Sequence, residues 1–240
     1  MKADKIGQIE RLAIEVTRAC GAAVPPEKPI DLRKLSKHIG VRRIAAVDMV
    51  SDGRLDRQPE GPSVYYRYGI RGGRRRFTIA HELGHLLLGN SDVFNGLEFD
   101  EIERLCNAFA AELLMPRRWI YTFSNLDRRL DTVRTVAKQA DVSIAAAFAR
   151  LRNEAQWQES ALFLHKRETW SLESTVGSSR FSRHRLEATA MTAQVLDDLH
   201  ARRVEDARCK LPVRVDRRRA ELAAEVSVHG RKAIALVGIR

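Results

Sequence analysis

Residues 77–88 read FTIAHELGHLLL, an apolar run that carries two histidines and a glutamate. Apolar residues occur on nearly every side of the segment, which predicts a helix over residues 77–89 that is buried in the centre of its domain. Burying three ionisable groups in such a helix is costly unless something compensates them, and a divalent metal ion does so. The apolar surroundings therefore favour a metal site over a chance grouping of the three residues.

The spacing of the two histidines suits one shared ion. A four-residue step in a helix turns through about 400°, so His81 and His85 lie one turn apart and about 40° out of line. Glu82 points to the adjacent side of the same turn, where it can reach a water on that ion. The pattern HELGH is the signature of a zinc peptidase, with His81 and His85 as ligands and Glu82 as the general base.

A catalytic zinc has three protein ligands and one open position, so the third ligand has to come from elsewhere in the chain. Four acidic residues near the next predicted helix, residues 101–115, are candidates. Glu98 and Asp100 precede this helix, and Glu101 and Glu103 lie within it. We favour Glu103, because Asn107, Ala110 and Leu114 continue its face along what we predict to be the buried side. Asn107 is then expected to hydrogen-bond the second nitrogen of a ligand histidine. Asp100 and Glu101 are expected to stabilise the start of the helix.

These residues predict peptide hydrolysis. The metal acidifies a water, Glu82 removes its proton, and the resulting hydroxide attacks a polarised carbonyl. A further donor to the oxyanion is expected, and the sequence leaves five candidates open: Tyr65, Tyr66, Tyr68, Tyr121 and His165.

The rest of the N-terminal region predicts an α+β fold. Helical periodicity covers residues 5–20, and a short helix begun by Asp31 precedes a strand over residues 41–49. Residues 51–63, SDGRLDRQPEGPS, are interpreted as a polar turn. Residues 64–70 are predicted to form a strand, and residues 71–76, RGGRRR, a basic loop.

The pattern changes after the two central helices. Residues 131–152 predict two helices broken at residues 140–142, with the proportions of a helix-turn-helix. From residue 160 onwards we predict a strand pair, a helix, and a hairpin that turns near Gly230. We expect a peptidase domain over residues 1–125, a helix-turn-helix-like segment over 126–155, and a small α/β domain over 156–240.

Composition indicates the compartment and possible partners. The chain has 42 Lys and Arg against 31 Asp and Glu, a net charge of +11 that favours contact with nucleic acid or an acidic partner. Three widely spaced cysteines, Cys20, Cys106 and Cys209, do not suggest a disulfide scaffold. No long apolar segment or signal peptide is evident, so we expect a cytoplasmic protein that does not enter a membrane.

Two linked motifs resemble those of a known family. RRRFTIAHELGHLLLG followed by ERLCNAFAAELLMP resembles the paired signature of the ImmA/IrrE family of zinc metallopeptidases, and DLRKLSKHIGV resembles the family's upstream segment. The resemblance implies a zincin-like domain in which His81, His85 and Glu103 bind zinc and Glu82 is catalytic. The sequence leaves open whether manganese replaces zinc in cells.

The order of segments is most similar to the radiation-response (IrrE) branch of that family. This further resemblance implies cleavage of a helix-turn-helix repressor of the DNA-damage regulon, and a GAF-like C-terminal domain. The C-terminal part of the chain matches the branch only in size and in its pattern of strands and helices.

A DNA-binding regulator with a structural metal site is the alternative, supported by the positive charge and the helix-turn-helix proportions. The second helix of that segment begins SIAAAFAR, which offers Ser143 and Arg150 among alanines and is poorly suited to reading bases. A packing module or a docking surface for the repressor is therefore favoured. Glu82 also argues for an enzyme, since a structural metal site has no use for a general base.

Overall fold

The computed structural model describes residues 3–19, 29–90, 92–126, 128–155, 157, 160–166, 169–173, 186–204, 207–215, 217–229 and 232–238. The chain divides into two compact units, one formed by residues 1–120 with 136–143 and the other by residues 121–135 with 144–240. Both helices and strands are abundant, so the α+β class is confirmed. The three-part division at residues 125 and 155 stays a prediction. Cys20 and Gly230 lie outside the described residues.

Five helices lie within the described part of residues 1–121. They are α1 (Ala3–Ala19), α2 (Leu32–His38), α3 (Gly72–Gly89), α4 (Phe99–Leu114) and α5 (Arg117–Tyr121), with a short 3-10 turn at Asp92–Phe94. Asp31 caps α2 as predicted, because its carboxylate accepts the backbone N–H groups of Arg33 and Lys34 at 2.9 and 3.0 Å.

Helices α3 and α4 form the centre of this unit. A Cβ on Gly84 of α3 would lie 3.2 Å from the Cα of Cys106 on α4, so glycine allows the two backbones to approach closely. From residue 76 to residue 88 no side chain of α3 is exposed, which confirms the prediction of a buried helix.

Helix α3 begins earlier than its sequence suggested. The basic loop predicted over residues 71–76 is wrong, because the helix already starts at Gly72 and includes Arg74, Arg75 and Arg76. Arginine is a good helix former, although a cation at a helix N-terminus opposes the dipole. The partner of Arg74 is Asp52, and Arg76 donates to the carbonyl of Ile30 at 2.9 Å.

A three-stranded sheet accompanies these helices. Its order is β1-β3-β2, where β1 (Arg43–Val47) runs parallel to β3 (Gly61–Arg67) and β2 (Gly53–Gln58) runs antiparallel to β3. The interpretation of residues 51–63 as a turn is therefore wrong. The sequence of β2, GRLDRQ, lacks the alternating apolar residues typical of a strand. Backbone hydrogen bonds to β3, rather than side-chain burial, stabilise it as a strand.

Two helices carry the segment with helix-turn-helix proportions. They are α6 (Leu130–Ala140) and α7 (Ile144–Glu154), and the break predicted at residues 140–142 is confirmed. The connecting residue Asp141 has a φ of 51°, in the left-handed region that aspartate adopts more readily than most residues.

The second unit contains a six-stranded antiparallel sheet of order β5-β4-β9-β8-β7-β6. Its elements are β4 (Ser160–Lys166), β5 (Thr169–Glu173), β6 (Leu186–Ala188), α8 (Ala190–Ala201), β7 (Ala207–Val215), β8 (Arg218–His229) and β9 (Lys232–Gly238). The predicted strand pair and hairpin are present, whereas β6 and β7 were not predicted. Leu196 of α8 packs into a core with Phe163, Leu211 and Val226. The GAF-like assignment stays a prediction.

Among the described residues, no helix combines the length and apolar character needed to cross a membrane. Cys106 and Cys209 are free thiols.

Candidate metal centre

The helix pair α3–α4 brings three potential ligands together. The Nε2 atoms of His81 and His85 on α3 lie 3.1 Å apart. On α4, the carboxylate oxygens of Glu103 lie 3.3 Å from Nε2 of His81 and 3.0 Å from Nε2 of His85. Within the part of the chain that the structure describes, these three residues are the one cluster of at least three histidine, cysteine or acidic side chains arranged to hold a metal ion.

The geometry of this cluster fits zinc. Zinc binds histidine nitrogen and carboxylate oxygen at about 2.0–2.2 Å in a tetrahedron, so two of its ligand atoms lie roughly 3.3 Å apart. The two Nε2 atoms, 3.1 Å apart, are close to that value, and each lies at a similar distance from one of the two oxygens of Glu103, Oε2 for His81 and Oε1 for His85. One ligand atom from each of the three residues can be chosen so that all lie within 4.8 Å of one another, and three protein ligands is the number that catalytic zinc sites use.

Asn107 orients one of the histidines. Nδ1 of His81 lies 2.9 Å from Oδ1 of Asn107, one helical turn beyond Glu103 on α4. The amide oxygen can only accept, so Nδ1–H donates and the lone pair of Nε2 is directed towards Glu103 and His85.

The face of α4 that carries Glu103 differs from the expectation. The buried side of the helix includes Ala110 and Leu114, as predicted, but the side chain of Glu103 is 32% exposed and Asn107 is exposed. Both lie at the border of the buried face, where α4 lines a cleft. Glu98, Asp100 and Glu101 precede this point at the start of α4, and the described cluster does not include them.

Glu82 lies beside the cluster on α3 and is only 7% exposed. The backbone N–H of Leu55 on β2 lies near its carboxylate. Burial, together with the negative charge of Glu103, raises the pKa of Glu82 to about 7, which suits a group that takes up and releases a proton near neutral pH.

His85 contacts Phe94 through its ring and Arg57 through its backbone carbonyl. Burial, together with the positive charge that His81 can carry, lowers the pKa of His85, so the neutral, metal-binding form is favoured. Phe94 approaches edge-on, with ring centroids 6.3 Å apart. Nη2 of Arg57 donates to the carbonyl oxygen of His85 at 3.0 Å, and Nη1 donates to Oδ1 of Asn90 at 2.8 Å.

The cluster opens into a cleft of about 1050 Å³. Its walls combine helix residues such as Phe77 and Phe99 with residues of β2 and the segment before it, including Arg54 and Arg57. The oxyanion candidates Tyr65, Tyr66, Tyr68, Tyr121 and His165 are not among its lining residues, so those five suggestions receive no support from the cleft. Sequence reasoning missed the contribution of β2 because it interpreted that strand as a turn.

The segment that contains the metal cluster is similar to known peptidases. Residues 36–152 match the family model described as the IrrE N-terminal-like domain, which is a peptidase family. The radiation response metalloprotease IrrE of Deinococcus radiodurans is 36% identical over 115 residues, covering 43% of this chain and 34% of that protein. The protein of the same name from Deinococcus deserti is 40% identical over 113 residues, covering 42% of this chain and 38% of that protein. Over residues 36–152 the chain is thus similar to the ImmA/IrrE family, which confirms the resemblance that its paired helix motifs predict.

These matches are partial. The aligned part of the chain spans little more than a third of the length of the curated relatives. A solved structure of a Mycobacterium tuberculosis transcriptional regulator is similar with a TM-score of 0.53 at 14% identity, covering 99% of this chain and 77% of that chain. At that identity the likeness concerns the fold alone.

Proposed function

We propose that this chain is a zinc-dependent, site-specific endopeptidase of the gluzincin type. The observation that carries the proposal is the convergence of His81, His85 and Glu103, whose ligand atoms lie within 4.8 Å of one another, at the side of a cleft that Glu82 also lines. Manganese is a possible substitute, because imidazole and carboxylate are ligands that it also accepts.

Each residue of the site has a separate role in the proposed hydrolysis. His81, His85 and Glu103 would hold a zinc ion, whose Lewis acidity would acidify water and polarise a peptide carbonyl. Glu82 accepts a proton from the attacking water and then passes it to the leaving amine as the C–N bond breaks. Asn107 keeps His81 in the tautomer that offers Nε2.

We further propose a helix-turn-helix transcriptional repressor as the substrate, cleaved in the cytoplasm to induce a stress or DNA-damage response. Two relatives that carry the name radiation response metalloprotease support this biological setting. The substrate itself rests on the resemblance to the IrrE branch.

The alternative, a DNA-binding regulator with a structural metal site, is less well supported. The turn between α6 and α7 packs against the first turn of α3, where a Cβ on Gly73 would lie 2.7 Å from the Cα of Val142. Nε of Arg76 also lies 3.5 Å from Oδ2 of Asp141. In a helix-turn-helix, the recognition helix follows this turn and enters the major groove of DNA. Because the turn is packed against α3, the start of that helix is less accessible to DNA.

The test is to incubate the purified chain with the helix-turn-helix regulator encoded beside its gene. We expect discrete fragments with zinc, none after EDTA treatment, and recovery when zinc is restored. Electrophoresis and intact-mass analysis identify the scissile bond. An uncleaved regulator, together with a sequence-specific gel shift that persists across a salt series, would favour the DNA-binding alternative instead.

A further inference from the structure

Strand β2 passes unusually close to the helix that carries Glu82. A Cβ added to Gly53 would overlap Oε1 of Glu82, and it would lie 2.6 Å from Cγ2 of Thr78 and 3.1 Å from Cδ of Glu82. Both neighbours are only 7% exposed, and both line the cleft beside the cluster, so a Cβ at position 53 would push at least one of them out of its present position. Any side chain at position 53 therefore has to displace Glu82, Thr78 or the strand itself.

The approach lets the backbone of β2 contact the carboxylate. Leu55, two residues beyond Gly53, places its backbone N–H near the carboxylate of Glu82. A backbone donor is fixed by its strand, so it holds the carboxylate in one orientation at little further entropic cost.

The neighbouring residues fix the strand against the helix. Asp52 accepts hydrogen bonds from Arg67 on β3 at 2.7 Å and from Arg74 on α3 at 2.7 Å. Ser51 donates to the carbonyl oxygen of Gly53 at 3.0 Å. Asp52 thus connects the start of β2 to both β3 and α3, and movement of the strand away from α3 would break its bond to Arg74.

We propose that Gly53 is a positioning residue, whose missing side chain lets the Leu55 N–H reach and orient the carboxylate of Glu82. The inference rests on the proposed function in one respect, since it assigns to Glu82 the proton transfer of peptide hydrolysis. The packing that it describes can be tested without catalysis.

The first experiment compares wild type, Gly53→Ala and Glu82→Gln as zinc-loaded full-length proteins. For Gly53→Ala we expect kcat on the helix-turn-helix regulator to fall about 100-fold, as for a catalytic group displaced by roughly 1 Å, while KM and zinc content stay near wild-type values. Glu82→Gln serves as the reference for the rate that remains when the carboxylate of Glu82 is absent. If Gly53→Ala keeps the wild-type kcat, the proposal is overturned.

A second pair of variants separates positioning from loss of stability. Thr78→Ser removes Cγ2 and therefore relieves one of the two clashes, but the overlap with Glu82 remains. Gly53→Ala should therefore lower the thermal stability less when it is introduced into Thr78→Ser than when it is introduced into wild type. In both backgrounds Gly53→Ala should lower kcat by the same factor. Recovery of kcat together with stability would contradict a role through Glu82.

Amide hydrogen exchange of Leu55 provides a measurement that does not depend on activity. We expect its N–H to be protected in wild type and to exchange at least tenfold faster in Gly53→Ala, with or without zinc. Unchanged exchange in that variant would overturn the packing argument. Cleavage by Glu82→Gln at the wild-type rate would instead refute the proposed function, while the exchange measurement would still decide the role of Gly53.

Discussion

His81 and Asn107 belong to different helices, yet Nδ1 of the histidine lies 2.9 Å from Oδ1 of the amide. This contact sets which ring nitrogen is free to bind an ion, so a residue that does not touch the ion controls how well the ion is held.

Asn107→Ala should lower zinc affinity by about 10–100-fold, the usual effect of losing the group that orients a ligand histidine. Competition with a chromophoric chelator measures this affinity. Asn107→Asp is the matched control, because its carboxylate still accepts the Nδ1–H, and it should keep most of the affinity. Equal affinities for wild type and Asn107→Ala would show that the contact does not orient His81.

Glu103→Ala should fail to retain one zinc per chain after dialysis, because a site with two histidines lacks the third ligand. Glu101→Ala, on the same helix but outside the cluster, should retain it. Metal analysis by mass spectrometry makes the comparison. Full occupancy in Glu103→Ala would assign the third ligand to Asp100 or another neighbour.

Two glycines in helices should respond in opposite ways to alanine. At Gly84 the new Cβ would lie 3.2 Å from both Cα of Cys106 and Cδ1 of Phe109, so we expect a loss of about 1–3 kcal/mol in the free energy of unfolding. At Gly7 the nearest atom is Nη1 of Arg11 at 3.9 Å, an ordinary contact, so Gly7→Ala should stabilise α1 by up to about 1 kcal/mol. Denaturant titration measures both changes. A stable Gly84→Ala would show that α3 and α4 pack less closely than described.

The helices and the metal cluster were predictable because their signals are local. His81 and His85 are four residues apart on one helix, and the apolar residues around them identify that helix from the sequence alone. The choice of Glu103 was accessible through the periodicity of the next helix, although the face that carries it proved to be partly exposed.

Strand β2 could not be predicted, because pairing with β3 rather than its own pattern makes it a strand. The contacts that it brings to the site therefore remained hidden, among them the bond from Arg57 to the carbonyl of His85, 28 residues away. The tyrosine candidates for the oxyanion donor stay predictions: three of the four lie on or next to β3, whereas β2 contributes residues to the lining of the cleft.

The central claim is that Glu82 performs proton transfer in a zinc peptidase. The most direct test compares zinc-loaded wild type with zinc-loaded Glu82→Gln, using the helix-turn-helix regulator encoded beside the gene as substrate. We expect both proteins to hold one zinc and unfold at similar temperatures, and we expect the variant to cleave at least about 100-fold more slowly. Cleavage by Glu82→Gln at the wild-type rate, with zinc bound, would contradict the account.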